Sequence, residues 1–85
     1  LWEEAIQDLR FTSEQVEELR QVLLVVPDHM LPQALACPDN LDIRRYHYMR
    51  IRVQELIRRN VERPIRNKFG YLLKMLKQDA KIPNP

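Results

Sequence analysis

The stretch "DIRRYHYMRIRVQELIRRN" (Asp42–Asn60) decides the fold. Ile43, Tyr46, Met49, Val53, Leu56 and Ile57 recur at spacings of three and four. Such spacing places them on one apolar seam of an amphipathic helix, predicted over Leu41–Asn60. Arg44, Arg45, Arg50, Arg52, Arg58 and Arg59 stand around its other sides.

Working outward towards the N-terminus, "CPDN" turns the chain and offers Asp39 or Asn40 as the N-cap of this long helix. Before it, "PDHMLPQALACPDN" lies between proline punctuations. It predicts a short helical turn or helix, with Asp28 as a cap and Met30, Leu31, Leu35 and Ala36 facing inward. Thr12 and Gln15 have capping-box spacing, and Phe11 and Val16 the spacing of a hydrophobic staple. They open a helix that buries Val16, Leu19, Val22, Leu23 and Val26 and ends at Pro27. Trp2, Ile6 and Leu9 form the stripe of a first helix reaching Arg10. In the other direction, Pro64 breaks the long helix and Asn67 caps a last one, Lys68 to about Asp79, whose inner face is Phe69, Leu72, Leu73 and Leu76. The expectation is an all-α fold, a compact bundle of four to five helices forming one domain over residues 1–85. It starts at Leu1 without methionine, as a domain cut from a larger protein would.

Charge divides this domain. Residues 1–43 hold nine acids against Arg10 and Arg20, a net −7, whereas residues 44–85 hold twelve bases against Glu55, Glu62 and Asp79, a net +9. The acidic half is therefore 1–43, the basic half 44–81, and the tail 82–85. Such asymmetry points to an anionic partner for the basic half, or to halves that neutralise each other within the fold. One cysteine, Cys37, permits no internal disulfide and reads as a buried or half-buried thiol in a reducing, cytoplasmic setting. No segment has the roughly 20 apolar residues of a membrane span.

Two clusters bear on function. Arg45, Arg52 and Arg59 are seven apart, and Arg44, Tyr48 and Arg52 follow at i, i+4 and i+8. Guanidinium forks match phosphate oxygens and an exposed tyrosine stacks on a base, so this is the pattern of a nucleic-acid face. The alternative is a solvated helix face with its tyrosines in the core. Arg63, Arg66 and Lys68 then gather at the start of the last helix, where the macrodipole favours acids, and Lys74, Lys77 and Lys81 follow along it. Gly70, the only glycine, sits in that first turn at a cost of about 1 kcal/mol relative to alanine. It either admits a phosphate or serves close packing. His29 and His47 have no partners at metal-ligand spacing, and no nucleophile or Gly-rich loop appears, so no catalytic residue, metal, cofactor or small-molecule substrate is expected.

The run "PIRNKFGYLLKMLK" resembles a signature near the ends of helical domains in replication proteins of plasmids, phages and integrative elements, among them replication initiators and DnaD-like primosome proteins. Ile65, Arg66, Asn67, Gly70, Tyr71 and Leu72 match the pattern, and Lys68 stands where it has proline. The resemblance implies a non-enzymatic accessory domain of a DNA-binding replication protein, with single-stranded DNA or another replication protein among its partners. The site residues expected on these grounds are Arg44, Arg45, Tyr48, Arg52, Arg59, Arg63, Arg66, Lys68, Tyr71 and Lys74. The alternative is a protein-interaction or self-association domain using the acidic N-terminal helices.

Overall fold

Each α-helix of the chain starts where a side-chain oxygen takes up backbone N–H groups that lack partners in the first turn. A computed structural model describes all 85 residues. It contains α1 (Ser13–Leu23), α2 (Leu41–Glu62) and α3 (Lys68–Ala80), preceded by a 3-10 helix (Trp2–Leu9), with a 3-10 turn (Asp28–Met30) between α1 and α2. At α1, Thr12 Oγ1 accepts from the Gln15 N–H at 3.1 Å and Gln15 Oε1 accepts from the Thr12 N–H at 3.0 Å, the predicted capping box. Asn40, rather than Asp39, caps α2 by accepting from the N–H groups of Asp42 and Ile43. Asn67 Oδ1 accepts from the Gly70 N–H at 2.8 Å and caps α3.

That last cap explains the single glycine. A Cβ on Gly70 would lie 2.6 Å from Nδ2 of Asn67 and 3.0 Å from its Cγ, closer than atoms pack. The glycine therefore leaves the space that the capping amide occupies.

The first helix is tighter than predicted. Its eight residues are 3-10, an unusually long run, and it stops at Arg10, which adopts the left-handed conformation (φ 56°). Trp2 and Ile6 are buried as their spacing requires. α1 ends at Leu23, short of Val26, because the last turns tighten: the N–H groups of Val25 and Val26 donate to Val22 and Leu23 carbonyls. Beyond Met30 the chain is not helical. Pro32 and Pro38 cannot donate to a helix ladder, so the expected 3.6-residue period fails. Leu31 and Ala34 are buried, whereas Leu35 is 100% exposed and Ala36 and Cys37 are also exposed. No side chain caps the Asp28 turn.

α2 is the spine, packing against the 3-10 helix and against α3, while α1 closes on α3. The core joins Trp2 and Ile6 to Leu19, Leu23, Val26 and Leu31, then to Tyr48, Met49 and Val53 of α2 and Leu72, Leu73 and Leu76 of α3. α2 is rotated about its axis from the expected seam. Met49, Val53 and Leu56 face inward, but Ile57 is 52% exposed, and Arg44 and Tyr48 take buried positions on the inner face. No helix is long and apolar enough to cross a membrane.

Candidate nucleic-acid interface

The arginine–tyrosine stripe of α2 points into the protein. Arg44 is 9% exposed and three of its five donors are taken. Nε donates to the Pro32 carbonyl at 3.0 Å, and Nη2 to the carbonyls of Asp28 and Leu31 at 3.0 and 3.1 Å. These carbonyls belong to the non-helical segment after α1, and the guanidinium fork satisfies them where no ladder can. Tyr48 is 2% exposed, and its hydroxyl donates to Asp79 Oδ2 at 2.6 Å. Burial, and next the bond to that carboxylate, push the hydroxyl well above the usual tyrosine range. Arg52 Nε donates to the same oxygen at 2.7 Å, and its guanidinium lies 5.5 Å from the Tyr48 ring centroid. Arg44 and Tyr48, expected on an exposed nucleic-acid face, are instead buried, and with Arg52 they tie α2 to the 28–32 segment and to the end of α3.

Two further arginines of the predicted face are engaged locally. Arg45 is largely buried, 3.6 Å from Asp42, with its Nε lacking a partner. Arg59 Nε donates to Glu55 Oε1 at 2.7 Å, Nη1 donates to the Tyr71 hydroxyl, and the guanidinium sits 5.7 Å from the Tyr71 ring. Arg58 donates to Glu55 as well, at 2.6 and 3.2 Å, and bridges to Glu62. Held first by Arg58 and then by Arg59, the Glu55 carboxyl is lowered to about 2.

Apart from Arg50, the unpaired cations of the basic half lie further along the chain. Arg63, Arg66 and Lys68 in the lead-in to α3, and Lys74, Lys77 and Lys81 along it, are all exposed and bridge to no acid. Over Arg63–Lys81 the only acid is Asp79, which is buried against Tyr48 and Arg52. Lys74, Lys77 and Lys81 line one shallow cleft of about 420 Å³ with Gly70, Leu73 and Gln78. Their i, i+3, i+7 spacing is the signal that extends the expected set from Lys74 to Lys77 and Lys81. Of the other expected residues, Arg63, Arg66, Lys68 and Lys74 lie on this exposed cationic run and Tyr71 is half-buried beside it.

Only one ion pair, between Arg45 and Asp42 three residues apart, joins the acidic half of the chain to the basic half. Glu3 and Glu17 pair with Arg20, and Arg45, Arg52, Arg58 and Arg59 of α2 pair with Asp42, Glu55, Glu62 and Asp79. No arginine or lysine of the basic half bridges to Glu14, Glu17 or Glu18. His29 is exposed and His47 rests beside Tyr46, with ring centroids 5.5 Å apart. No family model matches the chain, and no curated protein or solved structure matches it.

Proposed function

We propose that this domain binds nucleic acid through phosphate contacts along the lead-in and outer face of α3. One observation carries the reading: six exposed cations, Arg63, Arg66, Lys68, Lys74, Lys77 and Lys81, follow one another with no exposed acid among them and no ion pair to quench them. Lysine and arginine in such a run displace condensed counterions from a phosphate backbone, and this gives affinity without base specificity. In the replication setting that the C-terminal motif suggests, the ligand is DNA and the domain is a non-enzymatic accessory to the parent protein.

Fluorescence anisotropy of labelled oligonucleotides tests this. With six phosphates neutralised on duplex, affinity falls about 10³-fold between about 50 mM and 200 mM salt. Lys74→Glu/Lys77→Glu lowers affinity and flattens the salt slope while the fold persists, because both side chains are exposed. Salt-independent binding, or binding unaffected by that double change, refutes the reading. A protein partner is the second reading, favoured by the exposed, unpaired Glu4, Asp8, Glu14 and Glu18 and by Leu24 and Val25, which are more than half exposed. It takes over if no nucleic acid binds at the lower salt.

A further inference from the structure

Where α2 turns into α3, the chain forms a cleft of about 240 Å³ lined by Arg59, Glu62, Arg63, Pro64, Ile65 and Tyr71. Its parts are fixed before any ligand arrives. The Arg59 guanidinium sits 5.7 Å from the Tyr71 ring centroid and donates to its hydroxyl, and Glu55 accepts from Arg59 Nε at 2.7 Å. The opposite wall is held by Asn60, whose Oδ1 accepts from the Ile65 N–H at 2.8 Å. The cleft thus joins an aromatic face and a guanidinium plane to the apolar surfaces of Pro64 and Ile65. Arg63 lines the cleft, and Arg66 and Lys68 follow it within five residues of chain, all three exposed and in no ion pair. Glu62, the one acid lining it, disfavours a phosphate inside and leaves phosphates to the rim.

We infer that this cleft takes one unpaired base of a single strand, stacked against Tyr71 and Arg59, while the adjoining phosphates lie on Arg63, Arg66 and Lys68. The inference rests on the nucleic-acid reading above and adds a strand preference to it. The faces of paired bases are already stacked on their neighbours in a duplex, so only an unpaired base offers a face to an aromatic platform. A purely electrostatic surface behaves differently. It favours the duplex, whose charge density and counterion release are the greater.

The test measures anisotropy of the domain with three probes at about 50 mM salt: a short oligothymidylate, an abasic strand with the same number of phosphates, and a duplex of equal length. The oligothymidylate binds about 5- to 100-fold more tightly than the abasic strand, and more tightly than the duplex. Tyr71→Leu removes most of that difference and Tyr71→Phe keeps it, with a circular-dichroism melt establishing that each variant is folded. Oligothymidylate binding no tighter than the abasic strand, with the duplex bound at least as well as either, overturns the inference and leaves the phosphate reading standing. If none of the three binds, both are overturned. The comparison of native and abasic strands needs no variant, so an unfolded Tyr71→Leu does not rescue the inference.

Discussion

Replacing Asp79 with asparagine keeps the shape of a side chain that closes the end of α3 on the middle of α2 and removes its charge. Its Oδ2 accepts from the Tyr48 hydroxyl at 2.6 Å and from Arg52 Nε at 2.7 Å, and the residue is 8% exposed. Hydrogen bonds to an ionised group contribute about 1.5–3 kcal/mol each, and breaking a fully buried pair costs about 3–5 kcal/mol. Two features reduce the figure. The asparagine carbonyl still accepts one bond, and the Arg52 side chain is 28% exposed, so water reaches its guanidinium. The expected loss is about 2–3 kcal/mol from a total of about 4–13 kcal/mol for a chain of this length. Thermal and urea unfolding followed by circular dichroism should show the midpoint falling by about 10–20 °C. Because Tyr48 and Arg52 share one oxygen, Asp79→Asn combined with Tyr48→Phe should cost less than the sum of the two single changes. A loss under about 0.5 kcal/mol, the range of ordinary surface changes, would refute the reasoning, as would strict additivity with Tyr48→Phe.

Arg44→Ala strands three buried or half-buried carbonyls and should cost about 2–4 kcal/mol, with faster amide exchange at the 3-10 turn and Leu31; a cost near zero would mean that water replaces the fork. Gly70→Ala gains about 1 kcal/mol of helix propensity but displaces the Asn67 cap, which is worth about 0.5–2 kcal/mol, so the net change should be near zero or destabilising. In an Asn67→Ala background the same change should stabilise by about 1 kcal/mol, and urea midpoints of the four proteins decide it. Glu55 is lowered from 4.5 to about 2, so its contribution to stability is full above about pH 4.5 and lost as pH falls towards 2. A carboxyl-detected NMR titration should find its midpoint near 2, moving towards 4.5 in Arg58→Ala; an unmoved midpoint contradicts the pairing.

Local chemistry made much of this fold readable. The Thr12–Gln15 box, Asn67 and the break at Pro64 act within a few residues, so spacing alone finds them. The orientation of α2 was not readable in the same way. Ile43, Tyr46 and Ile57 outrank arginine on any hydrophobic scale, yet Arg44 lies deeper because carbonyls 12–16 residues away need its donors. Arg52 and Tyr48 meet Asp79 across 27 and 31 residues, a partnership that no helical spacing encodes. Leu35 misled for the opposite reason, since the prolines on either side remove the period that would have buried it. The cations of α3 remained legible because their exposure depends on helical phase and on the absence of nearby acids, both written locally.

The three side-chain caps also bear on the order of assembly. Thr12, Asn40 and Asn67 each act on N–H groups two or three residues ahead, so every α-helix holds its own starting point before distant parts of the chain meet. Helix growth occurs within about a microsecond, whereas contacts across long loops form later. Asp79 reaching Tyr48 and Arg52 is such a contact, so it belongs to the native side of the barrier. Asp79→Asn should accordingly quicken unfolding in stopped-flow experiments and leave refolding almost unchanged, whereas slowed refolding would place that contact within the nucleus.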